Sequence, residues 1–188
     1  MKFSVAKAAS RLSAATLVAV TLAVVAAAMS VDVSKSQITA TFRQMNVPVE
    51  GRFMIFRGSI DFDPKNAAAG KARIEVDTAS FDVGAAEYNE QLHGQEWFDT
   101  PTYPKASFVS SHVAPAGPNR FEVRGRFTLK DKTQKIKVAF TQRFEGGVQV
   151  YEGEFPLSRK MYSIGSADWD ETLEDKVIVK FKITTAAK

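Results

Sequence analysis

The chain of 188 residues contains no cysteine. That excludes disulfide cross-links, thiolate metal centres and a cysteine nucleophile together, so the fold must be held by its core alone. Histidine is almost as scarce: His93 and His112 are the only two. Neither has a second histidine or a carboxylate at metal-ligand spacing. The serines Ser107, Ser110 and Ser111 lack a G-x-S-x-G setting, which removes the frame for Ser–His hydrolysis. The acidic run Asp168, Asp170, Glu171, Glu174 and Asp175 does not follow EF-hand order and reads as a solvated loop. Asp61 and Asp63 flank Phe62, and alternation points both carboxylates outward. With no catalytic constellation and no metal ligands, the reading is a non-enzyme that needs no catalytic cofactor.

A strong charge bias is also missing once the N-terminus is set apart. Lys2, Lys7 and Arg11 precede an apolar run from Leu12 to Ala28 that closes on Ala26-Ala27-Ala28. A basic start, an apolar middle and an A-x-A end describe a cleaved secretory leader over residues 1–28. The competing reading is a membrane anchor, for which the run is slightly short. No cysteine near the cut supplies a lipid attachment site. Without the leader's three basic residues, 22 Lys and Arg face 21 Asp and Glu. The net charge of +4 for the whole chain is therefore no nucleic-acid footprint. The remaining basic residues alternate with apolar ones, as in Lys135-Ile136-Lys137-Val138. This is a solvated outer sheet face that blunts edges, and it also suits transient contact with a membrane surface. The expected location is the periplasm, and residues 29–188 form one domain.

What the chain has in quantity is phenylalanine, 14 in all, set on alternating strands. Ile60-Asp61-Phe62, Ala72 to Asp77 and Phe121 to Phe127 all read with period two. Strands are expected from Ser36 to Arg43, Val49 to Phe62, Ala72 to Asp77, Ala106 to Ser110, Phe121 to Leu129, Thr133 to Phe144, Val148 to Arg159 and Asp175 to Thr184. Pro48 is read as an interruption, Met54 to Arg57 as a bulge, and Ala114 to Asn119, with two prolines and a glycine, as a loop. Gly146-Gly147 is a hairpin turn. The segment Gly84 to Thr100 is the exception. Ala85 to Leu92 is helical in pattern, Gly94 ends it, and Trp97-Phe98 form an apolar plug. The fold class is all-β: an antiparallel barrel of about eight strands with one short helical insertion.

Several stretches coincide with one family. Val49-Glu50-Gly51-Arg52-Phe53 is similar to its V-x-G-x-F strand, and Asp77 to Gly84 to its acidic, Ser-rich turn. Trp97 to Phe108 contains its "FD…YP…F" pattern, and Gly125 to Leu129 with Thr133 its G-x-L-T-L-x-G-x-T hairpin. Leu157-Ser158-Arg159 with Ile164-Gly165 resembles its Arg…I-G element, and Val177 to Ile183 its closing strand. The order and spacing resemble the YceI-like family of exported lipid-binding proteins from Ser34 to Ile183. The resemblance implies an extended lipocalin-like barrel whose interior holds a long-chain amphiphile: a polyisoprenoid, an isoprenoid quinone or a fatty acid derivative. It also allows a homodimer. Departures are Val31-Asp32-Val33 where the family often has a Trp, Val83 for a common Thr, Asp131 for a Gly, and Met45-Asn46 where many members carry His.

The inward phase names the cavity candidates. They are Phe42, Phe53, Phe62, Phe108, Phe127, Phe140, Phe155 and Phe181, with Ile60, Ile74 and Val179 in phase and Trp97 and Phe98 from the insertion. Periodicity alone does not separate a hollow barrel from one filled by these rings; the resemblance favours the hollow one. Arg159 falls on the inward face of its strand. It either meets a head group at the cavity mouth or ties the rim by a salt bridge to Asp168 or Asp170. The insertion either closes one end of the barrel with Trp97 and Phe98 or packs on the outside as a cap.

Overall fold

The computed structural model describes residues 28–186. The leader reading therefore lies outside the described residues, apart from Ala28. Eleven strands form one antiparallel sheet: β1 (Met29–Ser30), β2 (Gln37–Gln44), β3 (Val47–Phe53), β4 (Phe56–Asp61), β5 (Lys71–Asp77), β6 (Phe81–Asp82), β7 (Lys105–Gly117), β8 (Arg120–Leu129), β9 (Lys132–Glu145), β10 (Val148–Ser158) and β11 (Lys176–Thr184). The spatial order is β1-β4-β5-β7-β8-β9-β10-β11-β2-β3-β6. The one α-helix among the described residues, α1 (Ala86–His93), lies in the insertion.

The sheet curls until its margins meet. β1 pairs with β4, and the same segment reaches the end of β11 through the Val31–Thr185 bridge and the bond from Ala186 N to Ser30 O. At the other end Met54 N donates to Ser80 O at 3.0 Å, and Asp77 N donates to Ile55 O at 2.9 Å. The all-β, curled antiparallel architecture is thus the expected one. The strand count differs because the run from Val49 to Phe62 is two strands. β3 pairs with β2 and β4 pairs with β5, so the chain changes partners at Met54-Ile55 rather than bulging. The two-residue strands β1 and β6 are too short to carry a periodic signal.

Pro48 and Pro115 correct the sequence boundaries, Pro156 lies inside a strand as expected, and one reason covers all three. Pro48 lies inside β3 opposite Arg43, Pro115 inside β7 opposite Phe121, and Pro156 inside β10 opposite Ile178. At each position the second flank is bare: β6 reaches only Arg52 and Phe53, β5 meets β7 only as far as Val109, and β9 meets β10 only as far as Glu154. A proline with no ladder partner on its N–H side costs the sheet nothing. The stretch from Ala114 is therefore strand through Gly117, with the turn confined to Pro118-Asn119. The Gly146-Gly147 turn forms as expected, with φ of 55° and 85°.

The core runs through the barrel axis. Inward positions alternate along β8 as Phe121, Val123, Gly125, Phe127 and Leu129, and along β10 as Tyr151, Gly153, Phe155 and Leu157. Near one end, Phe62, Phe121, Phe140 and Tyr151 fill the interior. Phe62 lies 4.9 Å from Phe121, 5.7 Å from Phe140 and 5.9 Å from Tyr151 between ring centres, mostly edge to face. Such aromatic pairs each add about 0.5–1.5 kcal/mol beyond area burial. This end of the barrel is packed.

Candidate ligand cavity

Beyond the aromatic floor the barrel is hollow. It holds two adjoining apolar lobes of about 140 and 130 Å³. They share Ile38, Val76, Ala106, Phe127 and Val179 as common walls. The first lobe is bounded by Ile60, Phe62, Ile74, Phe108 and Phe140, with Phe155 and Phe181. The second is bounded by Phe42, Phe53, Trp97, Phe98 and Arg159. Every cavity candidate named from the inward phase therefore stands on one wall or both. A dry apolar cavity of about 150 Å³ accommodates a single benzene ring. Two adjoining lobes of that size suit a slender chain rather than a bulky fused ring.

Glycine shapes the wall where rings need room. A Cβ on Gly51 would stand 2.3 Å from Phe81 Cζ, and its nearest neighbours are all atoms of that ring. Phe81 thereby lies flat across β3 and meets Phe53 at 4.8 Å and Phe98 at 5.5 Å. The same device seats Phe108 over Gly125, whose Cβ would come within 2.5 Å of that ring. These exchanges place aromatic surface on the wall without narrowing the bore.

The insertion closes the second lobe. Trp97 and Phe98 are buried and face inward, so the plug is a lid rather than an outside cap. Tyr88 does not join them: it is exposed, while Leu92, one turn on, lines the lobe. α1 starts without a side-chain cap of its own, and Asn89 compensates. Its Oδ1 accepts from Val83 N at 2.9 Å, and its Nδ2 donates to Asp82 Oδ1 at 2.7 Å. Lys130, on the β8–β9 turn, latches the lid. Its Nζ donates to Gln95 O, Trp97 O and Ser163 O at 3.1, 2.9 and 3.1 Å. Partial burial pulls its pKa down, opposed by Asp99 and Asp131.

Arg159 resolves toward the rim tie. It is 3% exposed, and its Nη2 meets Asp170 Oδ1 at 2.7 Å and Leu173 O at 3.0 Å. Nε donates to Glu174 O and Nη1 to Ile164 O. The guanidinium thus knots the 159–175 connection, and only its flank forms cavity wall. Lys160 and then Arg159 hold the Asp170 carboxyl below its usual pKa. Two further acidic residues of this connection, Glu174 and Asp175, serve the same knot. Glu174 pairs with Arg43 at 3.3 Å, and Asp175 accepts from Ser158 Oγ at 2.8 Å. Sequence reasoning missed Tyr162, Ile164 and Leu173 as cavity walls. They come from irregular backbone, where no period exists to reveal them; their only signal was apolar character inside a polar loop.

A curled antiparallel sheet around an elongated apolar cavity, lidded by a helical insertion, defines a lipocalin-like barrel. The YceI-like domain model matches residues 29–185, and the chain belongs to that family. It is 30% identical over 128 residues to a UPF0312 protein of Vibrio vulnificus, covering 66% of this chain and 68% of that protein. Against UPF0312 proteins of Vibrio cholerae the identity is 34% over 90 residues, so the match spans about half the length of those relatives (48%). Among solved structures, BcnA of Burkholderia cenocepacia is 41% identical with a TM-score of 0.81, over 83% of this chain and 99% of that one. A polyisoprenoid binding domain from Saccharophagus degradans shares the fold at 17% identity and a TM-score of 0.69, over 85% of this chain and 98% of that one.

Proposed function

We propose that this protein carries a long-chain amphiphile in the barrel interior, outside the cytoplasm, and performs no chemistry on it. The observation that supports this is the pair of apolar lobes inside the barrel, which share Ile38, Val76, Ala106, Phe127 and Val179 as walls. Each methylene moved from water into such a wall stabilises the complex by about 0.8 kcal/mol, so a long tail needs few polar contacts. Family membership and the polyisoprenoid named for the Saccharophagus domain point to the same ligand class. A polyisoprenoid, an isoprenoid quinone and a fatty acid derivative all present the slender tail the bore fits. Export by a cleaved leader agrees with Met29 opening β1 opposite Ile60, directly after the expected cut.

Native mass spectrometry of protein gently purified from the periplasmic fraction tests both parts. The expected species begins near Met29 and carries a recurring apolar adduct that survives prolonged incubation unchanged. Turnover of the adduct would make the protein an enzyme, absence of any adduct would favour a filled structural module, and a full-length chain held in the inner membrane would overturn export by cleavage.

A further inference from the structure

The ladder between β9 and β10 ends at Ala139 and Glu154. Beyond that point Lys132–Val138 pairs only with β8, and Phe155–Ser158 pairs only with β11. Pro156 suits such a margin, because it has no N–H to offer a neighbour. Between β9 and β10 the barrel wall is therefore a seam closed by side chains instead of ladder hydrogen bonds. Phe127 and Phe155, both walls of the first lobe, meet edge to face at 6.0 Å behind it. Leu157, on the β10 margin, lines the second lobe, and Ile136 is half-buried on the β9 margin. Lys132 Nζ donates to Ser163 Oγ, which ties the start of β9 to the 159–175 connection and not to β10.

The outer face beside this seam is basic. Arg120, Arg124 and Arg126 on β8 and Lys135 and Lys137 on β9 are all exposed, in alternation with the inward residues. In register, Arg126 stands opposite Lys135 and Arg124 opposite Lys137. Like charges directly opposed on one face of a sheet are destabilising. Glu122 is the only carboxylate in β8 or in Lys132–Val138, and it is taken by Arg124 at 3.2 Å and Lys137 at 2.8 Å. The opposed Arg126 and Lys135 form no ion pair among the described residues, so both are free for an external anion. Unpaired cations beside a seam that opens on an apolar bore match a partner that is anionic at its surface and hydrocarbon beneath. A nucleic acid would use the charge but not the seam.

We propose that the outer face of β8 and β9 docks on an anionic phospholipid bilayer, and that the adjoining seam is the mouth through which a lipid tail enters the barrel. The mouth rests on the carrier reading; the docking face does not. Vesicle flotation tests the face. The purified protein should float with vesicles of equal parts phosphatidylglycerol and phosphatidylcholine, not with phosphatidylcholine alone, and added salt should release it. Lys135→Glu turns the like-charged pair with Arg126 into an opposite-charged one. This variant should fold at least as stably as the parent, yet bind the mixed vesicles at least about tenfold more weakly. Lys65→Glu makes the same change in net charge at an exposed site between β4 and β5 and should bind as the parent does. Equal loss in both variants, no loss in Lys135→Glu, or equal binding to neutral vesicles would overturn the docking face. Tighter binding to a duplex DNA oligonucleotide than to the vesicles would overturn it in favour of a soluble polyanion. Uptake of cis-parinaric acid, a slender fluorescent tail, from solution tests the seam. Ile136→Trp adds bulk at the β9 margin and should slow entry several-fold. Lys130→Met frees the carbonyls of Gln95, Trp97 and Ser163 on the lid side and should leave the rate unchanged. An unchanged rate in Ile136→Trp, or faster entry in Lys130→Met, would overturn the seam as the mouth. No gain of parinaric fluorescence in the parent would remove the carrier reading, and with it the mouth, while flotation still decides the face.

Discussion

At the scale of single residues, two positions link local chemistry to measurable behaviour. Gly51 leaves the space in which the Phe81 ring lies, and the atoms a Cβ would strike all belong to that ring. Gly51→Ala should therefore push Phe81 toward the second lobe instead of breaking the strand. Overpacking of this kind costs about 1–3 kcal/mol, readable as a lowered denaturation midpoint at unchanged slope. Unchanged stability would show that the ring has a second resting place. Glu75 is the clearest titrating group. It bonds Arg73 and Arg57 on the outer face of β5, and these contacts lower its pKa to about 2. Because the unfolded chain binds this proton more readily, the contribution is present above about pH 4.5 and is lost as pH falls through about 2. Glu75→Gln should flatten the stability profile between those limits and leave it unchanged near neutrality relative to its own plateau. An identical acid limb in the variant would assign acid loss to other carboxylates.

At the scale of elements, the lid is held partly by its own turns and partly by bonds to distant loops. Its tip closes on itself through Trp97 N to Gly94 O and Phe98 N to Leu92 O, both at 3.0 Å, and it joins the β8–β9 turn through Lys130. Lys130→Met keeps the stem but removes the ammonium, leaving three carbonyls without their donor. Hydrogen exchange at Trp97, Phe98 and Asp99 should accelerate by at least about tenfold, while amides of β8 and β9 keep their protection. Equal exchange in the variant would leave the lid to the burial of Trp97 and Phe98 and to the bonds of Glu96 with Gly165, Ser166 and Trp169. The lid segment itself was legible in the sequence because Gly94, Pro101 and Pro104 punctuate a long interruption between strands that carries a helical pattern. Its latch was not, since Lys130 lies 33 residues from Trp97 and a lysine on a hairpin turn reads as a solvated charge. Prolines misled at Pro48 and Pro115 for a related reason. Whether a proline breaks a strand depends on which flank is free, and strand order is a property of the sheet rather than of the segment.

At the scale of the whole molecule, one floor of packed rings and two hollow lobes make the barrel a vessel closed at one end and lidded at the other. Phe127 is one of the five walls common to both lobes, and a chain lying in both would pass it. Phe127→Trp should obstruct the passage, so that protein purified in parallel carries no apolar adduct by native mass spectrometry while still unfolding cooperatively. An undiminished adduct would move the ligand away from the barrel axis. Alternation by itself determined that this chain is all-β, that its strands share one apolar face, and which phenylalanines and aliphatic residues occupy that face. A side-chain period of two holds within any extended segment, whatever its neighbours. The chain's own order and spacing also carried the family likeness. Only the tertiary structure decided where the barrel is filled and where it is hollow, because packing depends on which rings from distant strands meet: Phe62 on Phe121 and Phe140, but Phe81 over Gly51. It likewise decided that Arg159 is spent on Asp170 and backbone carbonyls while Tyr162 is left without a partner. Hydrogen bonds of that kind are set by irregular backbone closing in space, and no periodicity along the chain encodes them.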